Sequence, residues 1–195
     1  ARRINDIIDR NGVANVVFAA APSQNDLLEN LLKSDIDWTK VRAFHQDEYV
    51  GISAEEPAGF GNFLDRAIFK KVNFKELHYL ICAAEEAEKK CQDYTELLQK
   101  YPIDLIFLGI GENGHIAFND PPADFDTNRA YLVVPLDHKC RMQQVGEGWF
   151  ASIDEVPTHA FSMSIKQIMW SKSIVCTCPD ARKAEAVKGA VEGPV

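Results

Sequence analysis

Residues 103–122 have the sequence IDLIFLGIGENGHIAFNDPP, and this stretch predicts both the centre of the fold and its functional edge. The apolar run Leu105–Leu108 has the pattern of a strand that is buried on both faces, as in a parallel sheet. Glycines end the run, and polar residues follow until two prolines end any continuing helix. His115 and Asp120 therefore lie just past the carboxyl end of a buried strand, where open α/β sheets bind ligands.

Composition restricts the class of protein. The 195 residues are enough for one domain with a sizeable core, and 46% hydrophobic and 26% charged residues are ordinary for a globular protein. A net charge of −8 without a basic stripe argues against nucleic acid as a partner. No apolar run approaches the roughly 18 residues of a membrane span, and no signal peptide is recognisable. Five cysteines without CxxC spacing are typical of reduced thiols, so we expect a cytoplasmic protein.

Strand and helix patterns alternate four or five times along the chain, without a repeat or a linker. The predicted strands are Ala14–Ala21, Val41–Phe44, Leu77–Cys82, Ile103–Leu108, Tyr131–Val134 and Ser173–Cys178, with an alternating segment at Pro157–Ile168. The predicted helices follow Ser23 and cover Asn62–Lys71, Glu85–Tyr101 and Asp180–Val191, with Asp180 as a cap and a polar segment at Leu136–Met142. This order predicts a doubly wound, mostly parallel α/β sheet of the Rossmann-like open type. We expect one domain over residues 1–195, truncated at both ends, because the chain starts inside a helical pattern and stops without a closing element.

Two motifs suggest chemistry that their context does not support. Gly109-x-Gly111-x-x-Gly114 matches the dinucleotide fingerprint, but a lone match is weak. The prolines that follow leave too little room for a long helix, and the next strand runs into Pro135 rather than a ribose-binding acid. Cys176-Thr177-Cys178 is predicted to be alternate residues of a buried strand rather than a metal site, since no His or Cys pair accompanies it.

Polar residues also follow two other strands. Val41–Phe44 runs into Asp47 and Glu48, adjacent carboxylates that can act as general acid or base, although adjacent acids in a loop are also commonly just solvated. Ser23 and Asp26 resemble a capping box at a helix that begins directly after a strand. The free N–H groups of such a helix can bind an anion, and the alternative is an ordinary helix cap.

Four segments together resemble the glucosamine-6-phosphate deaminase/isomerase family. Residues 109–122, GIGENGHIAFNDPP, are similar to its signature. Phe44–Tyr49 resembles the family's strand leading into Asp-Glu-Tyr, and Arg182–Ala184 resembles its late Lys-Ala element. Ala21–Gln24 falls where the family has a phosphate loop. Four elements in the right order over the whole chain are more specific than any one of them.

The resemblance implies a reaction and a role for each matched residue. The reaction is isomerisation and deamination of a 2-amino-2-deoxy-hexose 6-phosphate, with glucosamine 6-phosphate giving fructose 6-phosphate and ammonia. Asp47 would move a proton from C2 to C1, and His115 would open the sugar ring as acid and base. Asn113 and Asp120 would orient the imidazole. The other implied site residues are Ser23, Gln24 and Lys183 on the phosphate, and Glu48, Gly111 and Gly114 in the substrate loops.

The resemblance implies no metal and no cofactor. The expected partner is a small amino-sugar phosphate, with neither nucleic acid nor membrane, and a homo-oligomer is left open. Asp120 stands where Glu is usual in the family, and a displacement of about 1 Å in a catalytic group can lower the rate about 100-fold. Arg141 is the nearest candidate for an arginine that many members use on the phosphate.

Two alternatives share the predicted fold. The related 6-phosphogluconolactonases carry a similar Gly-x-Asp-Gly-His element, followed by a Ser-Leu-Phe-Pro type of run. The segment Ala117–Asp120 stands there in this chain and favours the deaminase. The other alternative is a non-catalytic sugar-phosphate sensor, which would bind its ligand without turnover.

Overall fold

The computed structural model describes residues 1–146 and 148–193, in which strands and helices alternate. The strands are β1 (Ala14–Phe18), β2 (Val41–His45), β3 (Asp47–Tyr49), β4 (Glu76–His78), β5 (Leu105–Leu108), β6 (Tyr131–Pro135), β7 (His159–Met163) and β8 (Ile174–Cys176). The helices are α1 (Arg2–Asn11), α2 (Asn25–Leu32), α3 (Phe60–Leu64), α4 (Ala87–Lys100), α5 (His138–Gly146), α6 (Ile165–Met169) and α7 (Ala184–Glu192). Within the described ranges, none of the helices has the length and apolarity that crossing a bilayer requires.

A five-stranded parallel sheet with the order β4-β2-β1-β5-β8 forms the centre of the fold. Strand β1 pairs with β2 on one side and with β5 on the other. Val16 and Phe18 point into one hydrophobic core with α1 and α2, whereas Val17 points into a second core with α4. Successive side chains of a strand alternate between faces, so helices cover both faces of this sheet. The predicted doubly wound parallel sheet is therefore confirmed.

A second, antiparallel sheet with the order β3-β7-β6 was not predicted. Residues 47–49 were expected in a loop, but they pair with β7 so that Asp47 lies opposite Ser162. The strand predicted at Tyr131–Val134 is β6, but it belongs to this sheet. The partners are far apart in the chain, and such pairing leaves no local signature in the sequence.

Three local predictions differ from the structure. The second half of the helix predicted over Asn62–Lys71 is a π-helical turn, Asp65–Phe69. The polar segment predicted at Leu136–Met142 leads into helix α5. The strand predicted at Leu77–Cys82 is shorter and begins one residue earlier, as β4.

Two predictions at strand ends were wrong in detail. Cys176 is the exposed last residue of β8, and Cys178 lies beyond the strand rather than inside it. Ser23 forms no capping box, because α2 begins at Asn25 without a side-chain cap. The hydroxyl of Ser23 instead accepts a hydrogen bond from Nε2 of Gln24 at 3.1 Å.

Two buried tyrosines fix the point where the chain leaves β2 for β3. The N–H of His45 donates to the Tyr94 hydroxyl at 3.0 Å, and that hydroxyl donates to the carbonyl of His78 at 2.5 Å. The Tyr131 hydroxyl donates to the carbonyl of His45 at 2.6 Å. Both backbone groups of His45 are therefore paired in the interior, where an unpaired group would be costly. Asp47 follows two residues later, so we expect this arrangement to set its position.

Candidate active site

The carboxyl ends of the parallel strands open into a cavity of about 550 Å³. Its wall includes residues 19–23 after β1, 109–111 after β5 and 177–180 after β8. A volume of this size is typical of small-molecule sites. The predicted site residues that line it are Ser23, Asp47, Gly111, His115, Asp120 and Lys183.

The imidazole of His115 is held by Asn113 and Asp120, which the structure brings together. Nδ1 of His115 lies 2.6 Å from Asn113 Oδ1 and 3.3 Å from Asp120 Oδ1. Nδ2 of Asn113 donates to the same Asp120 oxygen at 2.9 Å, and this bond fixes the orientation of the Asn113 amide. Because both neighbours of Nδ1 are acceptor oxygens, the geometry assigns the ring proton to Nδ1 and the lone pair to Nε2.

The charge of this imidazole follows from its surroundings. Burial lowers the pKa of His115 below its ordinary value, Asp120 raises it in part, and Lys183 lowers it. The ring is therefore neutral at pH 7, and Nε2 is available to accept a proton. The shorter side chain of Asp120 reaches the ring, although 3.3 Å is longer than the 2.7–2.9 Å typical of a charge-assisted hydrogen bond.

The two predicted loop glycines shape the chain around His115. A Cβ on Gly111 would lie 2.2 Å from His115 Cε1, so any side chain there would displace the imidazole. Gly114 has a φ of +87°, which favours glycine. The N–H of Gly114 donates to the carbonyl of Gly111 at 3.1 Å. The N–H of Gly111 donates to the carbonyl of His115 at 2.8 Å.

Asp47 faces the same cavity from the start of β3. Its side chain is buried, and Oδ1 has no hydrogen-bond partner among the described residues. Burial raises the pKa of Asp47 well above its ordinary value, and the neighbouring Glu48 raises it further. A carboxyl group with a raised pKa is a stronger base once it is ionised.

Glu48 lies behind the cavity wall, although it was predicted in a substrate loop. Its carboxylate accepts hydrogen bonds from the N–H groups of Tyr49 at 2.9 Å, Phe60 at 3.0 Å and Gly61 at 2.7 Å. Burial raises the pKa of Glu48, and these bonds partly offset the effect. His45 Nε2 lies 3.8 Å away, but burial lowers the pKa of His45 to about 3, so the pair is not ionic. Glu48 thus ties the start of α3 to β3.

Ser23 and Gln24 were both predicted on the phosphate, but they occupy different places. Ser23 lines the cavity. Gln24 is 1% exposed, and its Nε2 lies 3.3 Å from the carbonyl oxygen of Leu108 and 3.5 Å from that of Thr177. Gln24 therefore links the ends of β5 and β8 from within the protein.

The cavity contains a second cation beside the predicted Lys183. Arg182 also lines the wall, and its side chain is more exposed than that of Lys183. Asp180 caps this turn as predicted, because Oδ1 accepts a hydrogen bond from the N–H of Arg182 at 2.9 Å. Arg182 directly precedes Lys183 in the matched segment, which was a signal for it, but it was assigned no role.

Arg141 is engaged elsewhere. Its Nη2 donates to the carbonyls of Ile153 at 2.6 Å and Val156 at 2.9 Å, so it braces the segment that follows α5. Sequence reasoning missed two amides that line the cavity, Gln46 and Gln144. Gln46 lies within the matched segment Phe44–Tyr49 but was assigned no role there, and Gln144 belongs to no recognised motif.

Comparison with known proteins decides the family. A sequence model described as "Glucosamine-6-phosphate isomerases/6-phosphogluconolactonase" matches residues 1–195. The chain belongs to this family. A glucosamine-6-phosphate deaminase of Listeria welshimeri is 38% identical over 178 residues, which are 91% of this chain and 74% of that protein. One of Streptococcus pneumoniae is 35% identical over 185 residues, or 95% of this chain and 78% of that protein.

Solved structures of related proteins have the same fold as this family member. A monomeric glucosamine-6-phosphate deaminase superimposes with a TM-score of 0.87 at 28% identity, covering 100% of this chain and 82% of that one. A 6-phosphogluconolactonase of Thermotoga maritima gives a TM-score of 0.80 at 14% identity, covering 99% and 82%. The second likeness shows a shared fold only.

Proposed function

We propose that this protein converts glucosamine 6-phosphate and water into fructose 6-phosphate and ammonia. The observation that carries the proposal is that Asp47 and His115, two groups with complementary proton chemistry, face one cavity. The named relatives at 35–38% identity act on this substrate class according to their names. The proposed enzyme is an aldose–ketose isomerase that also hydrolyses a carbon–nitrogen bond.

Ring opening is the first proposed step. Nε2 of His115 accepts the proton of the anomeric hydroxyl while the bond between C1 and the ring oxygen breaks. The same nitrogen then returns the proton to the ring oxygen. A neutral imidazole with its proton on Nδ1 suits this role, because Nε2 can both accept and return a proton.

Proton transfer between carbons is the second proposed step. Ionised Asp47 removes the proton from C2 of the open-chain aldehyde, and O1 takes a proton from the substrate's own ammonium group, which gives an enolamine with a neutral amine. Asp47 then delivers its proton to C1, and the nitrogen lone pair forms a C2 iminium. Water adds to C2 and ammonia leaves, so the new carbonyl oxygen comes from water. The raised pKa of Asp47 makes it a base strong enough to act on a carbon acid.

Binding of the phosphate is assigned to two other residues of the cavity wall. We propose that Ser23 and Lys183 hold the 6-phosphate, since both line the wall. Gln24, which is buried, acts by holding the ends of β5 and β8 next to Ser23. Asn113 and Asp120 position His115, as Gly111 and Gly114 do through the loop backbone.

We also propose that the enzyme works in the cytoplasm. Five cysteines without CxxC spacing are typical of the reduced thiols of that compartment. The sequence leaves the oligomeric state open, and light scattering of the purified protein measures it. One solved relative is described as monomeric.

The proposal is tested by offering glucosamine 6-phosphate, galactosamine 6-phosphate and 6-phosphogluconolactone side by side. Ammonia together with a hexulose phosphate from one amino sugar supports the proposal and names the epimer. Hydrolysis of the lactone alone would favour the lactonase alternative. Binding of all three without turnover would favour the sensor.

A further inference from the structure

A carboxylate of the protein itself lies between the two cations of the cavity. Oε1 of Glu112 is 3.5 Å from Nη1 of Arg182 and 3.9 Å from Nζ of Lys183. A single oxygen atom is thus close to both positive charges. Its position marks a place where the structure already accommodates an anionic oxygen.

Asp180 holds the Arg182 guanidinium in this orientation. Oδ2 of Asp180 accepts hydrogen bonds from Nε at 2.9 Å and from Nη2 at 2.6 Å. Arg182 lowers the pKa of Asp180 to about 2, so the carboxylate stays ionised at any working pH. These bonds occupy one edge of the guanidinium, and Nη1 is the nitrogen nearest Glu112. The fork geometry of arginine suits such simultaneous contact with two anions.

The four charged side chains described above sum to zero. Arg182 and Lys183 contribute two positive charges, and Asp180 and Glu112 contribute two negative charges. Among the described residues of the cavity wall, Arg182 and Lys183 are the ones with a fixed positive charge. A phosphate monoester carries about −1.5 to −2 charges at pH 7. A phosphate that contacts both cations would therefore compete with the Glu112 carboxylate for the same place.

Glu112 is the carboxylate that can leave. Its contacts of 3.5 and 3.9 Å are longer than the 2.7–2.9 Å of a charge-assisted hydrogen bond, and its side chain is 53% exposed. Asp180, by contrast, is tied to Arg182 by two short hydrogen bonds and also caps the turn.

We infer that Arg182 is a second phosphate-binding residue beside Lys183, and that Glu112 is an internal competitor which the phosphate displaces. The inference rests on the proposed function, because it names how that site binds the phosphate of its substrate. It also assigns Glu112 a role in specificity: the carboxylate weakens binding of every phosphate ligand, so affinity depends on a second, sugar-directed contact.

Calorimetric binding of glucitol 6-phosphate tests this inference without any turnover, because that probe has neither an amine nor a carbonyl. We expect Arg182→Gln to raise Kd about tenfold, the loss of a charge-assisted contact at a partly exposed site. We expect Glu112→Gln to lower Kd about two- to fivefold, the effect of removing an exposed ionic competitor. Unphosphorylated glucitol should show neither change.

Matched controls separate a local contact from net charge. Lys188→Gln and Glu185→Gln make the same charge changes at exposed positions of α7 that lie outside the cavity wall. Both should leave Kd within about twofold, because exposed charges are screened by salt. Thermal unfolding of each variant verifies that it is folded.

Any one of three results would overturn the inference. The Kd for glucitol 6-phosphate could be the same in Arg182→Gln as in the unmodified chain, or Glu112→Gln could bind the probe no more tightly than Glu185→Gln does. The third is that the unmodified chain binds glucitol 6-phosphate no better than glucitol. None of them depends on ammonia release. Deamination with unchanged glucitol 6-phosphate binding in both variants would reject this inference and keep the proposed function. If both variants change the binding of glucitol 6-phosphate as expected but the unmodified chain deaminates no amino sugar, the inference stands and the proposed function is rejected.

Discussion

Asp47 and Glu48 are consecutive residues of β3, yet only the first directs its carboxyl group at the cavity. Glu48 has three backbone N–H partners, whereas Oδ1 of Asp47 has none among the described residues. Neighbouring side chains of a strand point to opposite faces, so one short segment supplies both a reactive group and its structural support. The two carboxyl groups should therefore respond differently to substitution.

Asp47→Asn should abolish turnover and stabilise the fold. Removal of a general base lowers the rate by about 10²–10⁴-fold. The raised pKa means that the folded chain binds this proton more tightly than the unfolded chain, so ionisation of Asp47 destabilises the fold as the pH rises above about 4. We expect the variant to gain roughly 1 kcal/mol at pH 8, seen as a melting temperature about 2–4 °C higher. The gain should vanish below about pH 4, and a less stable Asp47→Asn at pH 8 would contradict this assignment.

Glu48→Gln should lower stability with a smaller effect on chemistry. The amide keeps the size of the side chain but replaces one acceptor oxygen with a donor that faces backbone N–H groups. Loss of buried hydrogen bonds to a charged group costs about 1.5–3 kcal/mol each. We expect thermal unfolding several degrees lower than that of an exposed control, Glu86→Gln. Equal melting temperatures for the two variants would show that the Glu48 hydrogen bonds do not stabilise the start of α3.

Two substitutions should move the pKa of His115 in opposite directions. Asp120→Asn removes the carboxylate that raises this pKa, so the pKa should fall. Asn113→Asp places a second negative charge 2.6 Å from Nδ1, so the pKa should rise. NMR titration of the imidazole measures both shifts directly. Shifts in the same direction would refute the orientation assigned to the ring.

Tyr131→Phe tests whether the two tyrosines position Asp47. The variant leaves the buried His45 carbonyl without its 2.6 Å partner, at a cost of about 1–3 kcal/mol. Since a small displacement of a catalytic group lowers the rate strongly, we expect kcat to fall at least tenfold with KM nearly unchanged. Tyr101→Phe, at the end of α4, is the matched control. A purely structural role would lower the melting temperature and leave kcat intact.

The sequence predicts those parts of the protein that depend on local patterns. Leu105–Leu108 could be assigned to a buried strand because four apolar residues are followed by glycines. Asn113, His115 and Asp120 could be grouped because they share one short loop, and they lie together.

Long-range partners explain what the sequence does not predict. The carboxylate of Glu48 accepts hydrogen bonds from the backbone N–H groups of Phe60 and Gly61, and nothing near Glu48 in the sequence indicates these partners. Gln24 lies beside Ser23 in the chain but turns inward to carbonyls of Leu108 and Thr177. Such contacts depend on how distant segments pack. For this reason the sequence predicts that Ser23 and Gln24 both bind the phosphate, whereas in the structure only Ser23 lines the cavity.

Conversion of glucosamine 6-phosphate deuterated at C2 tests the central claim most directly. The claim is that Asp47 breaks the C2–H bond in a cavity shared with His115. We predict that the unmodified protein releases ammonia and fructose 6-phosphate, more slowly from the deuterated than from the ordinary substrate, and that Asp47→Asn releases neither. Absence of ammonia from both substrates, or an Asp47→Asn rate within tenfold of the unmodified protein, would contradict the claim.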